Sequence, residues 1–149
     1  MSRSLRKVGS SVLPLIATVI GVIVPARPAA AAGCGAQTLK GRYVYAFSGF
    51  KTTGDSAAQR TPFAQGGHEV FDGKGHVSGN ATASFNGTIV RLKYTGTYTV
   101  NADCSGTVTT TDDRGESAHY DVFVPKDGSS ILYVQSDPSV VSAGWERRE

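Results

Sequence analysis

Charge is scarce in this sequence: Asp, Glu, Lys and Arg make up only 18% of its 149 residues. Met and Trp occur once each, Cys twice and His three times. So little charge, set against 18 Gly and many Thr, Ser and Val, excludes a helical bundle or coiled coil, which draws on Ala, Glu, Lys and Leu. The recurring signatures of catalysis are missing as well. There is no Gly-x-Ser-x-Gly, no His-x-His and no His-Glu-x-x-His, so neither a Ser or Cys triad nor a metal centre is indicated. No Gly-rich phosphate loop opens a helix, which disfavours nucleotide binding. A hydrophobic content of 40% argues against disorder, and the length allows one domain.

The first 32 residues read as a signal peptide. Arg3, Arg6 and Lys7 form a positive head, an apolar run extends from Val8 to Val24, and Pro28 leads into Ala29-Ala30-Ala31-Ala32. A positive head, an apolar middle and small residues at the end are what signal peptidase requires. Cleavage after Ala32 would leave residues 33–149 as one domain with no integral membrane span. It also changes the charge. The whole chain is formally +3, but Arg3, Arg6, Lys7 and Arg27 precede the cut with no acid among them, so 11 cations would face 12 acids. No Lys/Arg cluster remains beyond Arg147-Arg148. A nucleic-acid partner is thereby disfavoured, because phosphate binding needs several converging cations.

Two cysteines in an exported chain read as one disulfide, Cys34 to Cys104. It closes a loop of about 70 residues, for which the chain-entropy model gives roughly 4 kcal/mol. Ala31-Ala32-Gly33-Cys34 also resembles a lipobox, but the large aliphatic residue is missing and Cys104 would be left unpaired.

Turn signals recur every 8–15 residues and no stretch holds a 3.6-residue period, so the mature chain reads as eight strands. The clearest is 88–100. Val90, Leu92, Tyr94, Gly96, Tyr98 and Val100 share one face, and Arg91, Lys93, Thr95, Thr97 and Thr99 the other. This is the period of an antiparallel strand with one buried side, and Gly96 marks a bulge or a bend. Further strands fall near 41–50, 66–72, 76–85, 106–112, 118–125, 130–136 and 140–148. Asp72-Gly73-Lys74-Gly75 and Asn86-Gly87 supply hairpin chemistry. No connection is long enough for a crossover helix, which excludes parallel pairing. The expected architecture is an all-β, antiparallel, up-and-down eight-stranded barrel, which removes exposed edges, with a β-sandwich as the alternative. The long polar stretch 51–64 reads as a loop, either a lid over the barrel mouth or disordered.

Leu39-Lys40-Gly41-Arg42-Tyr43, Val70-Phe71-Asp72-Gly73-Lys74-Gly75, the stretch from Tyr94 to Gly106 and Gln135-Ser136-Asp137-Pro138 together resemble a group of small exported bacterial proteins. That group is similar to the allene oxide cyclase barrel-like and calycin-like proteins. The resemblance covers most of the mature chain. It implies a closed barrel with a central pocket, and fixes no reaction. Gly41-Arg42-Tyr43 also resembles the G-x-W opening of lipocalins, with Tyr in place of Trp. This implies Arg147 as the basic residue covering that aromatic at the barrel base.

Of the histidines, His68 and His76 flank the 72–75 hairpin. A three-residue loop sets His68 opposite Asn80 with both His on the face of Val70, whereas a two-residue loop puts them on opposite faces. They and His119 read as solvated strand residues, and no metal is expected. Glu69 and Asp121 are the strand carboxylates. Inside a barrel either has a raised pKa and can serve as catalytic acid or base; outside it is an ordinary solvated group. Tyr43, Tyr45, Tyr94, Tyr98, Tyr120 and Tyr133 are candidate ligand-binding residues, suiting a lumen with apolar walls and hydroxyl handles. A Tyr-filled core without a cavity accounts for the same pattern. Trp145 reads as a packing residue.

These features lead to a secreted or periplasmic barrel that binds a small apolar or aromatic molecule in its lumen. A cofactor-free cyclase or isomerase in the same pocket, where confinement selects a reactive conformer, is the alternative. It requires a carboxylate inside the lumen. A third reading is an exported protein-binding module such as a protease inhibitor, which expects a filled barrel and a protruding N-terminus or loop.

Overall fold

The computed structural model describes residues 33–52 and 60–149. The signal-peptide reading of 1–32 falls outside the described residues. One turn of 3-10 helix, Ala36–Thr38, leads into eight strands: β1 (Lys40–Thr52), β2 (Arg60–Asp72), β3 (His76–Phe85), β4 (Thr88–Val100), β5 (Ser105–Asp112), β6 (Ser117–Phe123), β7 (Ser130–Gln135) and β8 (Val140–Arg148). Each strand pairs antiparallel with the next, and β8 pairs back onto β1 from Tyr43↔Arg148 to Lys51↔Val140. The result is a closed up-and-down barrel, with no free edge among the described strands. The sandwich alternative is not adopted.

The turns follow from their sequences. Asn86 and Gly87 both take positive φ, 47° and 89°, as the tightest hairpin demands. In the β2–β3 turn, Asp72 Oδ1 accepts the Lys74 and His76 amides at 2.6 and 3.0 Å. This is the three-residue loop, and it sets His68 opposite Asn80. At the β4–β5 turn, Cys104 is bonded to Cys34. The bridge ties the chain ahead of β1 to the barrel end where β5 begins.

The alternation of β4 is realised along its length. Leu92, Tyr94 and Tyr98 are buried, while Arg91, Lys93, Thr95, Thr97 and Thr99 face solvent. On that outer face Thr99 and Thr107 share a hydroxyl hydrogen bond of 3.0 Å. The ladders run through Gly96 without a shift in register, so Gly96 marks no bulge. A Cβ there would lie 2.1 Å from the Thr109 carbonyl oxygen, so only Gly lets β4 and β5 approach so closely.

Three expectations are corrected. The described part of the stretch 51–64 is strand, not loop: Lys51 and Thr52 end β1, and Arg60–Ala64 begin β2, paired through Thr52↔Arg60. Phe63 points inward and is buried while Pro62 and Ala64 on the other face are exposed, an alternation hidden by small and polar neighbours. Of the lid reading, residues 53–59 lie outside the described residues. Trp145 is not a packing residue; it is 57% exposed. It lies in an outward row with Phe123, Leu132 and Ala46, cross-strand neighbours from β6 to β1. Finally, Arg148 rather than Arg147 covers Tyr43, because a slip of one residue along a strand exchanges its two faces.

Candidate functional site

The inward residues of the barrel form two layers with different chemistry. The lower layer is a plug. Tyr43 and Tyr98 each pack edge-on against Phe71, with centroids 5.2 and 5.0 Å apart. Leu39 and Ile131 are fully buried too. The hydroxyls of this layer are consumed by backbone: Tyr43 donates to the Gly128 carbonyl at 2.6 Å, and Tyr98 lies 2.9 Å from the carbonyls of both Ala36 and Leu39. Arg148 caps the layer. Its Nε and Nη2 donate to the Tyr43 hydroxyl at 3.1 and 2.9 Å, Nη2 also reaches the Thr38 carbonyl, and the guanidinium lies 5.5 Å over the Tyr43 ring. Tyr43 and Tyr98, expected at the pocket, therefore close the base instead of lining the cavity.

Above the plug is a cavity of about 160 Å³. Its wall includes Tyr45, Phe47, Tyr94, Tyr120 and Tyr133 together with Glu69 and Glu146. At its outer end the wall includes Lys51, Arg114, Glu116 and Ser117, which are exposed, so the cavity opens at the barrel end opposite the plug. Phe47, Tyr120 and Tyr133 stand edge to face with one another, their centroids 5.5–6.1 Å apart.

Glycines on the inner face make room for these rings. A Cβ on Gly79 would lie 2.4 Å from the Tyr94 ring and hydroxyl. The missing side chain lets that ring lie against β3 with its hydroxyl aimed at Glu69. Gly144 does the same for Phe47 and Tyr133, whose Cβ and hydroxyl would stand 2.3 and 2.8 Å from an added Cβ.

The polar groups of the cavity form a chain. Gln65 Nε2 donates to the Tyr45 hydroxyl at 3.0 Å. The Tyr45 and Tyr94 hydroxyls are in contact. Tyr94 donates to Glu69 Oε2 at 2.8 Å, and the Glu146 carboxyl lies close enough to Glu69 for the two to be coupled. Both carboxyls are buried, each residue 6% exposed. Burial raises the pKa of both, since a low-dielectric surround penalises charge. Glu146 is raised further by the negative charge of Glu69. The hydrogen bond from Tyr94 opposes the rise at Glu69. Two carboxyls so placed share a proton and titrate as a pair. Burial likewise lifts Tyr45 to about 12 and raises Tyr94, Tyr120 and Tyr133. Two atoms of the wall are left without a partner: Glu146 Oε2 and the Tyr133 hydroxyl.

The expected site residues thus divide. Glu69, Tyr45, Tyr94, Tyr120 and Tyr133 come together around the cavity. Asp121 is exposed on the outer face of β6, away from it. Glu146 carried no local signal: along β8 the apolar residues Val141, Ala143 and Trp145 face out, while Ser142, Gly144, Glu146 and Arg148 face in. Placing the cap of Tyr43 at Arg148 would have turned Glu146 inward by parity.

The histidines stay outside. His68 Nδ1 lies 3.2 Å from Glu149, His76 3.2 Å from Asp72 and His119 2.6 Å from Asp137. No group of three His, Cys, Asp or Glu suited to a metal occurs among the described residues, and no helix of theirs is long and apolar enough to cross a membrane.

No family model, curated protein or solved structure matches the chain. What stands of the resemblance to allene oxide cyclase-like and calycin-like proteins is the closed eight-stranded antiparallel barrel.

Proposed function

We propose that this chain is an exported barrel, its first 32 residues a signal peptide, that binds one small apolar or aromatic molecule in its lumen. The carrying observation is the cavity of about 160 Å³ between an aromatic wall and a sealed base. A dry cavity of about 150 Å³ accepts benzene, so the occupant is the size of a single ring. A folded polyene or a lipid is too large for the enclosed part. The disulfide supports export, because such bonds persist in oxidising compartments. The test is titration with toluene, followed by NMR. Saturable shifts at Phe47, Leu92 and Val108, abolished by Val108→Phe, are expected; no saturable shift in the wild-type protein sinks the reading.

A second reading, a cofactor-free cyclase or isomerase, is favoured by one observation. Glu69 lies at the cavity with the Tyr94 hydroxyl 2.8 Å away, a base and a hydrogen-bond donor on one wall. Asp121 takes no part in it. If this reading holds, a ring-sized ketone such as acetophenone exchanges its α-protons with D2O faster with the protein than with Glu69→Gln. Equal rates would exclude it. The protein-binding reading expects a filled barrel and a protruding N-terminus or loop, and of the loop 51–64, residues 53–59 lie outside the described residues. This reading gains no support from a lumen with a cavity, or from a Cys34 bonded to Cys104 and a Leu39 fully buried at the base.

A further inference from the structure

The cavity has a sign as well as a size. Glu69 and Glu146 face it, and the groups acting on them are each other and the Tyr94 hydroxyl, with no cation among them. The cations of the wall, Lys51 and Arg114, stand exposed at the mouth. Arg148, which shares the inner face of β8 with Glu146, is committed to the Tyr43 hydroxyl and the Thr38 carbonyl. Burying acid without a cation is costly, and an opposite charge placed in so apolar a surround is held strongly.

Two further observations point the same way. Glu146 Oε2 and the Tyr133 hydroxyl are buried and unpartnered, and both residues line the cavity. Buried polar atoms are nearly always satisfied in the functional state. These two call for a ligand with more than one hydrogen to give, since a carboxyl oxygen and a hydroxyl can both accept. The remaining wall is aromatic. Phe47, Tyr120 and Tyr133 meet edge to face and so present ring faces in several directions. Such faces attract cations and accept apolar groups equally well.

We propose that the lumen takes a small amine, a single ring or an apolar body of that size carrying a protonated nitrogen that sits against Glu69 and Glu146 and donates to Glu146 Oε2. This rests on the lumen being a binding site, and it names the class of occupant. An ammonium offers three hydrogens and no acceptor, which suits the carboxyl oxygens of Glu69 and Glu146. A neutral ring alcohol fits the volume but leaves the acids without a counter-charge. A ring carboxylate of the same size meets like charge and is rejected.

Benzylamine, benzyl alcohol and benzoate share one ring and differ in charge, and calorimetric titration of the protein with each at about pH 7 tests the proposal. Benzylamine is expected to bind at least about tenfold more tightly than benzyl alcohol, and benzoate not measurably. In the Glu69→Gln, Glu146→Gln double variant, the preference for benzylamine over benzyl alcohol disappears. Should that variant fail to fold, Glu146→Gln alone is expected to narrow the preference. Benzyl alcohol binding as tightly as benzylamine in the wild-type protein would overturn the amine and leave lumenal binding standing. Failure of all three to bind, with no toluene shift at Phe47 or Val108, would overturn both. An amine preference that persists in the folded double variant would show that Glu69 and Glu146 do not hold the amine and would overturn the proposal.

Discussion

Glu146 and Glu69 lie where few acids do, on the inner wall of a small barrel, and burial raises the pKa of both above the ordinary glutamate value of 4.5. In the folded chain they therefore hold protons that the unfolded chain has already released. Their contribution to stability is complete below about pH 4.5 and declines as pH rises through the folded-state values. The turn aspartates act in the other direction. Hydrogen bonds from neighbouring backbone amides hold Asp72 and Asp127 below the ordinary value of 3.8, so their contribution is lost as pH falls through their folded-state values. The melting temperature is thus expected to peak in mild acid and to fall as pH rises above about 4.5 through the folded-state values of the two glutamates. In Glu146→Gln the decline should be shallower and the melting temperature at neutral pH higher. Calorimetric scans across that range check this, and an identical slope in the variant would contradict it. Tyr94 has a matching role at this scale: its hydroxyl fixes one Glu69 oxygen and leaves Glu146 Oε2 as the free acceptor.

Strands differ in how openly they declare which face is inside. In β4, leucine and tyrosine occupy one face and lysine, arginine and threonine the other, so its boundaries and orientation are legible from the residues alone. The Asn86-Gly87 turn fixes the β3–β4 register equally well, since both residues can take positive φ. In β8 the polarity is inverted. Its outward face carries Val141 and Trp145 and its inward face Ser142, Gly144 and Glu146, because the lumen there is polar and the outer surface apolar. Alternation shows that β8 is a strand but not which way it faces, and the second acid of the site was hidden by that inversion. The start of β2 was hidden for a different reason. Thr61, Pro62 and Ala64 announce no strand, and only pairing with β1 makes one. Gly96 was legible as an interruption of β4, whereas the purpose of Gly79 and Gly144 appears only once the rings are in place. In β3, a methyl at Gly79 meets the Tyr94 ring at 2.4 Å. Gly79→Ala is therefore expected to cost about 1–3 kcal/mol in denaturant unfolding and to displace the Tyr94 hydroxyl from Glu69. A variant as stable as the parent would show that the ring can move aside freely.

At the scale of the molecule, most pairings join strands adjacent in sequence, and two long-range ties complete the barrel. One is the β1–β8 ladder. The other is Cys34–Cys104, separated by 70 residues. The bridge limits the freedom of the unfolded chain, and the Cys34→Ser, Cys104→Ser double variant is expected to lose about 4 kcal/mol. Because the cavity wall contains neither cysteine, the same variant should keep its affinity for toluene at temperatures where it remains folded. Loss of binding from the folded variant would mean that the base segment shapes the cavity.

The sealed base has a further consequence for the traffic of molecules. Tyr43, Tyr98, Phe71 and Leu39 are buried and packed at that end, so a molecule bound as proposed enters and leaves by the mouth. A newcomer cannot push from behind; it waits until the resident has gone. Turnover of the chamber is then set by the resident's own escape, however crowded the doorway, and the barrel behaves as a cul-de-sac rather than a conduit.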